Sequence, residues 1–309
     1  MKLLTVMTHV RTEAQAEHAA RMFKLSGELL HNANKIQITA DKHGGTLKID
    51  LSGRLPDFQL QRDGEIFLAE AAEALASYIM QEEEERLLCK LIRVDFHYKQ
   101  EAEIEQILTY CDHILNDAEE VSAASASANA RKRRKEKLAG EIEAYIRTET
   151  ELHIDGLLRF RLQAYKQELR EVAEYAIDEF MMDRQYQEFI SLLQYFVYIQ
   201  EAKIPFVHLV HKGGSEFKLL NDRMEEIEPD DPEAVVTVEM LEKDMNFEDM
   251  IVSTLITVSP QTIYIHTREP EAQVIRTIRQ IFENRVELCG YCRLCQNLDR
   301  SAAAEYNKI

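Results

Sequence analysis

Three cysteines near the carboxy-terminal end of the chain, Cys289, Cys292 and Cys295, form a C-x2-C-x2-C pattern directly after a predicted strand. Two-residue spacing on a turn lets successive thiolates converge on one ion, which is why zinc and iron-sulfur sites use it. The pattern predicts a metal site made of these three residues, with zinc or an iron-sulfur cluster as the cofactor. The alternative is a set of reduced thiols near a chain end.

A closed zinc site needs a fourth ligand, and the sequence does not single one out. It could come from a second subunit or from one of four residues of this chain, namely His266, Asp299, Cys89 and Cys111. A ferredoxin-like pattern would place its fourth cysteine at position 299 and a proline after it, where this chain has Asp299 and Arg300. The sequence therefore leaves the metal open, and a redox role for the thiols is a further interpretation.

Other side chains give weaker indications of chemistry. Arg268 lies where a predicted strand ends and a helix is about to begin, so it could hold an anion together with the helix amides. No glycine-rich loop accompanies it, which favours an ordinary surface arginine. His208 and His211 are three apart on a predicted strand and point to opposite faces, so joint metal binding is not expected. The sequence contains no P-loop, G-x-S-x-G or H-E-x-x-H motif, so we predict no catalytic residue and favour a non-enzymatic protein.

The composition is that of a globular protein, with 45% hydrophobic and 30% charged residues. Five cysteines, an odd number, do not form a disulfide framework. The longest apolar stretches, such as residues 192–199, fall short of the roughly 18 residues that a membrane span requires. The amino terminus loses its apolar character at His9, too soon for a secretory signal. We therefore expect a cytoplasmic protein without a membrane partner.

The formal net charge of -18 repels polyphosphate, so nucleic acid is not an expected partner over a broad surface. The local candidate is the basic run from Arg131 to Lys137. This run could meet phosphates or an acidic partner, but a solvated helix turn or an internal contact to acidic helices is favoured. The expected partner is a protein, and the oligomeric state stays open.

Hydrophobic periodicity predicts a predominantly helical α+β or mixed α/β fold. The amino-terminal half reads as a small β-α-β-β unit, with a strand over 3–10, a helix over 13–31 and a hairpin over 36–51 whose paired glycines suit its turn. A long helical stretch follows from Gly64. The small residues of 121–129 can bury little area and predict a linker.

The second half is more strongly patterned. One helix is expected to start at Asp155. A second, over 183–202, is apolar on nearly every side between Ile190 and Ile199, which is typical of an element enclosed by others. A hairpin over 204–220 follows. The order helix, strand, helix, strand over 247–288 then favours a parallel pair of strands with a helical crossover.

Four segments of the second half resemble the YtxC family of sporulation-associated proteins from endospore-forming bacteria. They are DGLLRFRLQAY (155–165), YQEFISLLQYFVYIQ (186–200), STLITVSP (253–260) and IFENRV (281–286). The resemblance covers about residues 150 to 295 and implies a cytosolic setting linked to spore formation. It implies no catalytic residue, because the family has no assigned reaction, cofactor or active site.

The sequence therefore leads to a domain division and two functional hypotheses. The leading hypothesis is a non-enzymatic sporulation factor that acts through protein contacts of its carboxy-terminal domain. The alternative is a metal-binding redox or regulatory protein centred on the cysteines. The predicted division is 1–120, an amino-terminal α/β unit with long helices; 121–140, a linker with the basic run; 141–295, a YtxC-like domain; and 296–309, a tail.

Overall fold

The computed structural model describes residues 1–10, 12–26, 34–116, 123–213, 216–227 and 247–296. The chain divides into two compact units, with the boundary between Met182 and Asp183. The described residues are predominantly helical and include two four-stranded sheets, each with parallel and antiparallel pairs. The predicted α+β class is confirmed.

The first unit contains a sheet in the order β2-β3-β1-β4. The β2-β3 hairpin turns at Gly44, whose φ of 60° is a conformation that glycine adopts without strain. The predicted β-α-β-β start of the chain is present, with residues 27–31 of its predicted helix outside the described residues. The strands are β1 (Lys2–His9), β2 (Ile36–His43), β3 (Thr46–Gly53) and β4 (Glu151–His153).

Seven helices of the described chain begin in this unit. The second and third are joined by a π-helical turn over Ile79–Glu83. The helices are α1 (Glu13–Ser26), α2 (Leu60–Tyr78), α3 (Glu84–Val94), α4 (Glu101–Asn116), α5 (Ala123–Ile146), α6 (Ile154–Phe160) and α7 (Gln163–Ile199).

The stretch predicted as a linker is helical from Ala123 onward, because it opens helix α5. Alanine has the highest helix propensity, which explains how a run of small residues can form a helix. The basic run lies on this helix and makes internal ion pairs: Arg134 contacts Glu84 at 3.2 Å, and Lys135 contacts Glu73 at 2.9 Å. The predicted domain division, with its linker and basic run over 121–140, stays a prediction.

Helix α7 differs from the prediction in two ways. It is one helix of 37 residues instead of two, since no glycine or proline interrupts it. It is also not enclosed on all sides: Ile190 and Val197 are buried, whereas Phe189 and Tyr198 are 55% and 85% exposed. Within the described parts of the chain, every helix lacks the length or the apolar content needed to cross a membrane.

The second unit contains a sheet in the order β6-β5-β7-β8. Strand β7 pairs in parallel with β5 on one side and β8 on the other, so the predicted parallel pair is confirmed. Alternate residues Val207, Leu209, Ile263 and Ile265 are buried in a hydrophobic core to which helices α7, α8 and α9 contribute. The elements are β5 (Ile204–Gly213), β6 (Glu216–Leu220), α8 (Phe247–Val258), β7 (Pro260–His266), α9 (Gln273–Phe282) and β8 (Val286–Leu288).

Candidate metal centre

Two parallel strands, β7 and β8, bring His266 close to the three cysteines of the C-x2-C-x2-C pattern. Strand β7 ends at His266, and its neighbour β8 ends at Leu288, which pairs with Ile265. The backbone N–H of Cys289 donates to the carbonyl of Ile265 at 2.9 Å, which extends the pairing by one residue. Because the carboxyl ends of parallel strands meet at one edge of a sheet, His266 and Cys289 become neighbours although they are far apart in sequence.

The four potential ligand atoms of His266, Cys289, Cys292 and Cys295 all lie within 4.8 Å of one another. Nδ1 of His266 is 3.4 Å from the Cys292 sulfur and 3.5 Å from the Cys295 sulfur. The sulfurs of Cys295 and Cys289 are 3.9 Å apart. His266 and Cys295 are buried, and the other two cysteines are half-buried.

These separations fit a single tetrahedral ion. Zinc with bonds of about 2.3 Å to sulfur and about 2.0–2.1 Å to nitrogen holds two sulfurs roughly 3.8 Å apart and a sulfur and a nitrogen roughly 3.6 Å apart. The sulfurs of Cys289 and Cys295 are 3.9 Å apart, and Nδ1 of His266 is 3.4 to 3.5 Å from the sulfurs of Cys292 and Cys295. Every separation between ligand atoms of the group is within 4.8 Å. An iron-sulfur cluster holds cysteine sulfurs farther apart where each binds a different iron atom. The group can therefore hold a metal ion, and its dimensions suit one ion.

Backbone amides and burial act in opposite directions on the thiols. Burial disfavours the Cys292 thiolate, but the backbone N–H groups of Cys295 and Leu294 hold the pKa of Cys292 below its ordinary value. The N–H of Leu294 lies 3.3 Å from this sulfur. At Cys289 burial dominates and raises the pKa of the thiol. A bound cation would favour the thiolate at each cysteine, since a coordinating thiol is deprotonated.

His266 contacts a second histidine through its other ring nitrogen. Nε2 of His266 lies 3.0 Å from Nδ1 of His208 on the neighbouring strand β5. Burial lowers the pKa of both histidines, and His208 contributes further to the lowered pKa of His266. Both rings are therefore neutral near pH 7, the form in which histidine binds a metal.

The structure places two of the other suggested fourth ligands. Cys89 and Cys111 belong to helices α3 and α4 of the first unit and are not members of the group. Asp299 lies outside the described residues. His266 is the suggested residue that the described structure brings to the three cysteines.

Sequence reasoning missed His208. Alternation predicts it on the face opposite to His211, which contacts Thr267 at 2.8 Å and stacks on Phe217. Alternation along a strand does not reveal which residues meet across strands. The signal that could have found the pair is the parallel register, in which His208 pairs with Tyr264, two residues before His266.

Arg268 is exposed, and its guanidinium stands 5.5 Å from the centre of the Tyr291 ring. Such a stack is a contact that a surface arginine commonly makes. Tyr291 itself has a φ of 145°, a backbone conformation that residues other than glycine rarely adopt. Anion binding at Arg268 stays a prediction.

Cys111 is expected to resist alkylation in the folded protein. Burial raises the pKa of Cys111 to about 12, so very little thiolate exists at pH 8. Iodoacetamide followed by peptide mass spectrometry should find Cys111 unmodified in buffer and modified in urea. Half-buried Cys89 should be labelled in both conditions. Rapid labelling of Cys111 in buffer would contradict its burial in the first unit.

The fold and this group define a class: an α+β protein whose second unit carries one histidine and three cysteines able to hold a metal. The family model for the YtxC-like family matches residues 69–287, and the chain belongs to that family. It is 27% identical over 248 residues to "Uncharacterized protein YtxC" of Bacillus subtilis (strain 168), across 79% of this chain and 82% of the relative. No solved structure matches.

The family resemblance predicted from the sequence is therefore confirmed. The matched range includes His208 and His266 and ends at residue 287, just before the first cysteine of the group.

Proposed function

We propose that this member of the YtxC-like family binds one zinc ion through Cys289, Cys292, Cys295 and His266. The supporting observation is the approach of four ligand atoms to within 4.8 Å of one another from two separate strand ends. The ion would join the end of β7 to the segment that follows β8. This would fix the carboxy-terminal part of the second unit.

A structural role suits this ligand set better than a catalytic one. Structural zinc sites are closed by four protein ligands, whereas catalytic sites keep one position open for water or substrate. Four protein ligands are available here, and two of them are buried. Zinc has no redox chemistry of its own, so we also favour the structural role over a redox one.

Metal analysis of the protein purified without oxygen tests this proposal, together with its ultraviolet-visible spectrum. We expect about one equivalent of zinc and no absorption band of an iron-sulfur cluster. Less than about a tenth of an equivalent of zinc would contradict the proposal. Iron together with a visible absorption band would show that the cofactor is an iron-sulfur cluster and not zinc.

We also propose that the protein acts in sporulation through protein contacts. The family resemblance supports the setting, and the exposed aromatic side chains of Phe189, Phe196 and Tyr198 on α7 support the contacts. In an endospore-forming host, loss of the protein should lower the spore yield. The wild type should restore the yield, and a folded, zinc-loaded Phe196→Glu/Tyr198→Glu variant should not. Normal spore yield without the protein would contradict this role.

A further inference from the structure

The two ring nitrogens of His266 have different neighbours. Nδ1 faces the sulfurs of Cys292 and Cys295 at 3.4 and 3.5 Å. Nε2 faces Nδ1 of His208 at 3.0 Å, a hydrogen-bonding distance. The ring is thus placed between the proposed ion and a second imidazole.

This arrangement determines where the proton of His266 must be. A neutral imidazole carries one proton, and the nitrogen that binds a metal must be free of it. If Nδ1 binds the ion, Nε2 carries the proton and needs an acceptor. Nδ1 of His208 is the atom in position to accept it. Without an acceptor there, the tautomer protonated at Nδ1 would gain population, and that tautomer cannot bind the ion.

The His208 ring is itself held by its neighbours on the sheet. Its ring centroid is 5.4 Å from that of Phe206 and 5.5 Å from that of Tyr264. Strands β5 and β7 pair in parallel, with His208 opposite Tyr264. Packing and register therefore orient the acceptor before any ion binds, which lowers the cost of ordering the site on binding.

We propose that His208 is a positioning residue of the metal centre: it accepts the Nε2 proton of His266 and so fixes His266 as an Nδ1 ligand. The proposal rests on the proposed zinc site and adds to it an outer partner that determines affinity. Metal-binding histidines generally donate their second N–H to such a partner, and its loss costs roughly 10–100-fold in affinity or activity.

Two substitutions at position 208 separate the acceptor from the packing. His208→Phe keeps an aromatic ring and removes the acceptor, whereas the side-chain oxygen of His208→Asn can take the place of Nδ1. In competition with a chromophoric chelator, we expect His208→Phe to weaken zinc binding roughly 10–100-fold and His208→Asn to stay within about threefold of wild type. Tyr264→Phe is the control, because it keeps the ring beside His208 and changes no nitrogen.

Nitrogen NMR of the zinc-loaded wild type gives a readout that loss of packing would not change. With ¹⁵N-labelled histidine, His266 should show zinc on Nδ1 and a proton on Nε2. Coordination through Nε2 would overturn the inference, and so would wild-type affinity in His208→Phe or an equal loss in both variants. If wild type bound no zinc, the proposed function would fail too. If wild type bound one zinc ion and His208→Phe bound it with the same affinity, the role of His208 would be overturned and the proposed zinc site would stand.

Discussion

Replacing Cys295 with serine is expected to reduce the zinc in the purified protein to less than about a tenth of an equivalent. The Cys295 sulfur lies 3.5 Å from the His266 nitrogen and 3.9 Å from the Cys289 sulfur, and the residue is only 6% exposed. Serine offers a protonated, weaker ligand. The loss of affinity should exceed the roughly 10–100-fold that removal of an outer partner costs.

The same substitution should lower the thermal stability of the second unit. Where a metal site forms only in the folded chain, binding free energy is also folding free energy. Cys295→Ser and chelator-treated wild type should therefore unfold at similar temperatures, and chelator should not change the variant further. Cys89→Ser is the matched control, because Cys89 is half-buried in the first unit and should leave zinc and stability unchanged. Full zinc content in Cys295→Ser would contradict the assigned ligand set.

Replacing Arg134 with alanine is expected to destabilise the first unit by about 3–5 kcal/mol, as the loss of one partner from a buried ion pair does. The Arg134 side chain is 8% exposed, contacts Glu84 at 3.2 Å and donates to the carbonyl of Leu115 at 3.3 Å. Glu84 also accepts from the hydroxyl of Tyr165. Burial and the Glu84 carboxylate raise the pKa of Tyr165, which keeps this hydroxyl a donor. Without Arg134, the Glu84 carboxylate would lie mostly buried and would lose the ion-pair partner that it has among the described residues.

Urea unfolding of the full chain measures this effect. Lys132 is the control, because it lies on the same helix, is 72% exposed and has its ion-pair partner Glu136 at 3.8 Å. Lys132→Ala should change stability by no more than about 0.5 kcal/mol. Equal, small effects of both substitutions would contradict the conclusion that this part of the basic run makes an internal contact.

Features that depend on residues close together along the chain could be predicted from the sequence. The hairpin of β2 and β3 follows from alternating side chains and the glycines at its turn. The three cysteines could be predicted to be metal ligands from their spacing in the sequence. His266 could be suggested as a fourth ligand but not selected, because its approach to Cys289 depends on the pairing of β7 with β8. His208 was missed for the same reason.

Composition alone leaves two structures open in two segments. The small residues of 121–129 can bury little area, which predicts a linker, but alanine also favours helix, and helix α5 begins at Ala123. The predicted domain division stays a prediction. The apolar residues between Ile190 and Ile199 predict an enclosed helix. The structure shows one buried side and exposed aromatic side chains on the others, such as Tyr198. Hydrophobic periodicity predicts that the segment is a helix, but it does not predict which sides of the helix are covered by other parts of the protein.

We expect one histidine and three cysteines to hold a single zinc ion. Zinc K-edge X-ray absorption of the protein purified without oxygen identifies the atoms bound to this ion. We expect three sulfur atoms at about 2.3 Å and one nitrogen at about 2.0–2.1 Å from the zinc. A shell made only of oxygen and nitrogen, or a sample without zinc, would contradict the claim.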